Sequence, residues 1–208
     1  MEKFTSLTAP AAVLVRPNIG TDGTIRIERL SDLDRAELGP YCFEALRRRP
    51  DGSPDPSFFL NDPAYAGARI LLAGPNFGCG SSREGAVWAL MGVGISCVIA
   101  PSFGDIFFNN CFQNGVLPIV LDLDTIGALA ERVARDPQGN RLTVDLERQE
   151  LGFAGANEPI RFTIEPNRRQ ALLKGLDAIG VTLEREAEIA AFQARDKAAR
   201  PWVWNLPA

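Results

Sequence analysis

Histidine does not occur among the 208 residues. Its absence removes the commonest general base, the commonest metal ligand and every histidine-based catalytic triad. Proton transfer must fall to Ser, Cys, Tyr, Lys, Asp or Glu, or to a group on another chain. The cysteines number four, Cys42, Cys79, Cys97 and Cys111, and no two form a C-x-x-C pair. Such irregular spacing argues against zinc or iron–sulfur ligation by this chain alone. Cys97 and Cys111 lie in apolar segments and are expected as buried thiols. Cys79 stands between two glycines, as a reactive thiol or a small loop filler. No apolar run approaches the ~20 residues that span a bilayer. Residues 1–17 lack the long apolar stretch of a signal peptide, so a cytoplasmic protein is expected. A basic excess is also missing: 22 Lys and Arg stand against 26 Asp and Glu, a net charge of −4. Nucleic acid and anionic membrane are therefore not expected as partners.

What is present concentrates at residues 70–101, ILLAGPNFGCGSSREGAVWALMGVGISCVIAP. An apolar run leads into a glycine loop. Ala86, Val87, Leu90 and Met91 then recur at helical spacing, and a second apolar run closes at Pro101. The pattern predicts strand, glycine loop, helix, strand. Ser81 and Glu84 fit a Ser-x-x-Glu capping box. The first helical turn leaves N–H groups unpaired and carries partial positive charge. An anion held there, beside Arg83 and the hydroxyls of Ser81 and Ser82, is the expected chemistry. A dinucleotide fingerprint would need its third glycine at position 83, where Arg83 blocks close approach. The Gly-Lys-Ser/Thr of a phosphate loop is missing. A plain turn with capping serines is the bland alternative, but two serines, an arginine and a glutamate exceed what a cap requires.

Around this unit, residues 12–15, AVLV, and 25–30, IRIERL, flank a polar loop, 16–24, holding Asn18, Thr21 and Asp22. That loop is either a surface turn or a wall facing the glycine loop across a cleft. Either Arg26 or Arg29 points into the cleft, or both point outward and strand alternation turns Ile25 and Ile27 inward. Residues 31–49 predict one or two short helices that start at Ser31 and break at Gly39-Pro40. Residues 50–63 form a proline-rich loop, ordered by Phe58, Phe59 and Leu60. A second capping box, Ser102 to Asp105, precedes a helix over 106–114 that Gly115 stops. With a strand over 116–121, strand–helix–strand–helix–strand implies parallel pairing and right-handed crossovers. A helix over 125–135 follows. Alternation at 142–146 and 160–164 predicts a hairpin. Helices over about 167–177 and 183–195 end the chain, free to pack on the core or on a partner. The fold class is α/β, a layered sheet with flanking helices. The length suits one domain over 1–208, with a helical C-terminal region at about 167–197.

The segment GPNFGCGSSRE, then WAL, then VIAPSFGDIFFNNCFQNGVLPIVL, closely resembles the small subunit of 3-isopropylmalate dehydratase, the counterpart of the swivelling domain of the aconitase family. Further likeness lies in Asn18-Ile19-Gly20-Thr21-Asp22, in Gly39, Phe43 and Arg47 at even spacing, in RFTI at 161–164, in GLDAIGVTLE at 175–184 and in IAAF at 189–192. The resemblance thus covers nearly the whole chain. It implies a swivelling β/β/α-type domain that acts on a 2-hydroxy dicarboxylate as one half of a two-chain hydro-lyase, in leucine biosynthesis. Ser81 matches the catalytic base, with Ser82 and Arg83 beside it. Asn18, Thr21, Asp22 and Gly80 are substrate-binding candidates on that likeness, and Arg26, an arginine gained in the same loop, is a further one. No metal or cofactor is expected on this chain; a [4Fe–4S] cluster is expected on an iron–sulfur large subunit.

Departures from the family pattern gather near the presumed substrate loop. Gly85 stands for a histidine, Gly20 for an aspartate, Arg26 for a proline, Ile27 for a lysine and Tyr41 for a histidine. The Ser-Ser-Arg centre is unchanged. Two alternatives follow, a dehydratase for another substituted malate and a non-catalytic partner of a large subunit.

Overall fold

The computed structural model describes residues 1–80, 83–155 and 158–204. Two four-stranded sheets form its frame. Strands β1 (Ser6–Ala9), β6 (Leu142–Asp145), β7 (Glu150–Phe153) and β8 (Ile160–Arg161) pair antiparallel in that order. Strands β2 (Ala11–Leu14), β3 (Ile70–Ala73), β4 (Cys97–Ala100) and β5 (Leu117–Val120) pair parallel, neighbour to neighbour. Pro10 separates β1 from β2 at the point where the chain changes sheets. Proline cannot donate to a ladder, so it belongs at such a strand end.

The helices are α1 (Thr21–Thr24), α2 (Ile27–Asp32), α3 (Gly85–Gly92), α4 (Asp105–Asn114), α5 (Leu123–Arg135), α6 (Pro166–Lys174), α7 (Ala178–Leu183), α8 (Glu186–Ala199) and α9 (Pro201–Trp204). Along the parallel strands side chains alternate between two cores. Ile70, Leu72, Cys97, Ile99, Leu117 and Ile119 join the core with α5 and the antiparallel sheet. Ala12, Leu14, Leu71, Ala73, Val98 and Ala100 join the core with α3 and α4. Burial on both faces explains the unbroken apolar runs of these strands. The expected strand–helix–strand–helix–strand unit is present, and Gly115 closes α4 in the left-handed conformation at φ 82°. Helix α5 turns Ile126, Leu129, Ala130 and Val133 inward as one stripe. Phe58 and Phe59 order the proline-rich loop by packing against Phe43, with ring centroids 5.7 and 5.9 Å away.

Several expectations are corrected. Residues 25–30 are not a strand: α2 begins at Ile27, so Ser31 is helical and not a cap. Ile25 is buried, but Ile27 is 45% exposed. Beyond α2 come two 3₁₀ turns, Arg35–Glu37 and Gly39–Tyr41. The hairpin joins β6 to β7, with Leu142 opposite Phe153, and β8 adds outside β7. At α4 the N-cap is Gly104, and Ser102 Oγ accepts from the Asn76 N–H, so no second capping box forms. Of the C-terminal helices, α6 ends at Lys174, before the expected 177, α7 intervenes over Ala178–Leu183, and α8 runs over Glu186–Ala199 where 183–195 was expected. None of α7, α8 and α9 has a buried residue. No helix among the described residues is long and apolar enough to cross a membrane.

Candidate functional site

Where β2, β3 and β4 end, their loops continue to pair in parallel. Asn18 N–H donates to Pro75 O at 2.9 Å, Gly78 N–H to Ile19 O at 2.7 Å and Thr21 N–H to Cys79 O at 2.9 Å. On the other side Phe77 N–H donates to Ser102 O at 3.0 Å, and Gly104 N–H to Phe77 O at 2.9 Å. Asn18 and Asn76 both adopt positive φ, and Asn76 Nδ2 donates to Asn18 Oδ1 at 2.8 Å. The loop of residues 16–24 therefore does not face the glycine loop across a cleft. The two are zipped together main chain to main chain. This fixes the path of Cys79 and Gly80 into the Ser-Ser-Arg stretch.

Ser81 and Ser82 lie outside the described residues, bracketed by exposed Gly80 and half-buried Arg83. The expected capping box fails on the glutamate side. Glu84 is itself the N-cap of α3 and makes no side-chain cap bond. Its carboxylate instead accepts from Asn114 Nδ2 at 2.8 Å. Asn114 also accepts from Trp88 Nε1 at 2.9 Å and donates to Asn110 O at 2.9 Å. Among the described residues Arg83 has no ion pair, with Glu84 or otherwise.

The other candidates divide by position. Asn18 and Asp22 are exposed, whereas Thr21 is 3% exposed. Thr21 Oγ1 lies beneath Gly80, 3.8 Å from where a Cβ there would stand. Asn18, Thr21 and Gly80 are thus gathered into one loop cluster. Arg26 is exposed and lines a surface hollow with Glu44, Ala45, Arg48 and Arg49. Arg29 is held by Glu44 through two bonds, at 3.1 and 2.9 Å, with its guanidinium 4.1 Å from the Tyr41 ring centroid. That hydrogen bonding keeps the Glu44 carboxyl below its usual range. Sequence reasoning missed Asn76 and Asn114. The Gly-Pro-Asn triplet was the available signal for Asn76, since asparagine tolerates the left-handed region. Nothing local marks the role of Asn114, whose side-chain partners Trp88 and Glu84 lie 26 and 30 residues away.

The two departures at Gly20 and Gly85 share a steric cause. A Cβ at Gly20 would stand 2.9 Å from Cys79 O, and one at Gly85 would stand 2.2 Å from Leu30 Cδ2. Leu30 of α2 thus occupies the space beside α3 where a larger residue would sit. Gly85→Ala should destabilise the chain by about 1–3 kcal/mol through overpacking. Leu30→Ala in the same chain should relieve part of that loss. A double-mutant cycle by thermal melting checks the coupling, and additive losses would contradict it.

Three of the chain's four thiols are ill placed to ligate an iron–sulfur cluster. Cys42, Cys97 and Cys111 are buried, and burial pushes each thiol well above its ordinary range. No group of three or more potential Cys, Asp or Glu ligands occurs among the described residues.

Comparison with known proteins agrees with this arrangement. The aconitase C-terminal domain family matches residues 1–123, and the family of C-terminal domains of the 3-isopropylmalate dehydratase small subunit matches residues 179–203. The 3-isopropylmalate dehydratase small subunit of Gluconacetobacter diazotrophicus is 52% identical over 202 residues, 97% of each chain. That of Paramagnetospirillum magneticum is 50% identical over 204 residues, covering 98% of this chain and 100% of the relative. A crystal structure of 3-isopropylmalate dehydratase from Methanocaldococcus jannaschii superimposes with a TM-score of 0.64 at 25% identity, over 89% of this chain and 98% of that one. With half its sequence shared over nearly its full length, the chain belongs to the 3-isopropylmalate dehydratase small-subunit family.

Proposed function

We propose that the whole chain acts as one swivelling domain, the small subunit of a two-chain hydro-lyase of leucine biosynthesis that removes water from a 2-hydroxy dicarboxylate and returns it at the neighbouring carbon. The observation that carries this reading is Arg83, half-buried at the start of α3 without a carboxylate partner among the described residues, beside the two serines. Ser81 takes the proton from carbon. A serine hydroxyl titrates far above neutrality, so its alkoxide needs electrostatic support, which Arg83 and the unpaired N–H groups of α3 supply. Arg83 grips a substrate carboxylate through two parallel hydrogen bonds. An iron–sulfur cluster on the large subunit would supply the Lewis acid for the departing hydroxyl.

The neighbouring cations bear on the substrate. Arg29 is committed to Glu44, and Arg26 is exposed beside Arg48 and Arg49. Neither is a buried, unpaired charge that would repel an apolar substituent. This favours isopropylmalate over a more polar malate. Kinetics of the assembled pair on isopropylmalate, citramalate, citrate and methyl-substituted malates test it. A preference above tenfold for isopropylmalate is expected, and an equal preference for a polar malate would contradict the reading.

Arg83→Lys keeps the charge but loses the planar fork. A fall of at least tenfold in kcat/KM is expected, about 1.4 kcal/mol of transition-state stabilisation. Equal kinetics would place Arg83 outside the substrate shell.

A further inference from the structure

An arginine that must grip a substrate anion is endangered by its neighbour in sequence. Glu84 follows Arg83 directly, and its long side chain could close an ion pair that would occupy the guanidinium. The structure shows where that carboxylate goes instead. Asn114, the last residue of α4, is 7% exposed and spends its amide on three partners. Its Nδ2 donates to Glu84 Oε1 and to Asn110 O, and its Oδ1 accepts from Trp88 Nε1. The amide's polarity is fixed by this set, because the indole N–H can only donate and the carboxylate can only accept. Asn114 therefore turns toward Glu84 the one side that attracts a carboxylate. Buried donors left without acceptors are costly, so the arrangement resists rotation of the amide.

We propose that Asn114 is a positioning residue that draws the Glu84 carboxylate back against α4 and so keeps Arg83 open for the substrate carboxylate. The inference rests on the reading that Arg83 binds substrate. It assigns Asn114 no contact with substrate. Its effect passes through Glu84 to Arg83, and Trp88 locks the amide in the required sense.

The test uses the assembled two-chain enzyme. Asn114→Leu removes the donor and releases Glu84. KM for the diacid should then rise at least tenfold, with a smaller change in kcat. Adding Glu84→Gln to that variant restores no hydrogen bond to position 114 but removes the competing charge. KM should return to within about threefold of the wild-type value. A residue that only braces α3 against α4 predicts the opposite, since the double variant would be as impaired as the single one or worse. Absence of rescue, or an unaltered KM in Asn114→Leu, overturns the proposal. Thermal melting identifies a variant that has failed to fold. In that case Asn114→Asp serves, because it can keep the Trp88 bond while repelling Glu84, and Glu84→Gln should rescue it likewise. A wild-type pair without turnover would remove the functional reading itself, which separates the two failures.

Discussion

Ser81→Ala should lower turnover of the assembled enzyme by roughly 10²–10⁴, the loss that attends removal of a positioned base. Melting of the chain should barely change. A merely structural serine would act as a helix cap, and losing a cap costs only about 1 kcal/mol. The glutamate that a capping box would need is engaged elsewhere. Helix α3 starts at Gly85, its N-cap is Glu84, and the carboxylate that would complete a capping box is held by Asn114. A large kinetic loss without a stability loss is the signature of a lost base and not of a lost cap. Near-normal turnover with unchanged melting would make Ser81 structural and remove the proton acceptor from the proposed mechanism.

Gly78→Ala should damage the fold itself. Gly78 sits at φ 72°, and a Cβ there would stand 2.2 Å from the Phe107 ring. Phe107 is fully buried and packs edge-on against Phe77, so it has little room to retreat. A left-handed backbone costs a residue with a Cβ about 1–2 kcal/mol. Overpacking a filled core adds about 1–3 kcal/mol. Together these predict a loss of about 2–5 kcal/mol, a fall in Tm on the order of 10 °C for a chain of this size. Gly78 also donates to Ile19 O and lies two residues before Gly80, so activity should fall with stability. A melting curve within 2 °C of the wild type, an interval corresponding to about 1 kcal/mol or less, would contradict the account of the zipped loops.

The central unit was legible because its signals are local. Strands β3, β4 and β5 lie buried on both faces and so read as continuous apolar runs, and Gly115 marks the end of α4 by itself. Failures came where a distant partner decides. Ile25 and Ile27 alternate like a strand, yet Thr24 O accepts from Phe43 N–H, and α2 lays Leu30 over Gly85. Strand β7 is only four residues long and carries Gly152, so its signal was weaker than that of 160–164, which contributes two strand residues. The serine–glutamate spacing at 81–84 promised a capping box, but Asn114 takes the glutamate from thirty residues away. The same limit applies to the site. Sequence spacing pointed to the Ser-Ser-Arg stretch, of which Ser81 and Ser82 lie outside the described residues, and likeness to the family proposed residues 16–24 as the substrate loop. The pairing of Asn18 with Asn76 and the retention of Glu84 by Asn114 arise only when the strands align.

The most direct test of the central claim compares turnover of isopropylmalate by the purified chain alone with turnover by the chain combined with a cluster-loaded large subunit. The account predicts no turnover by the chain alone and full activity only from the pair. Turnover by the pure, metal-free chain would contradict it.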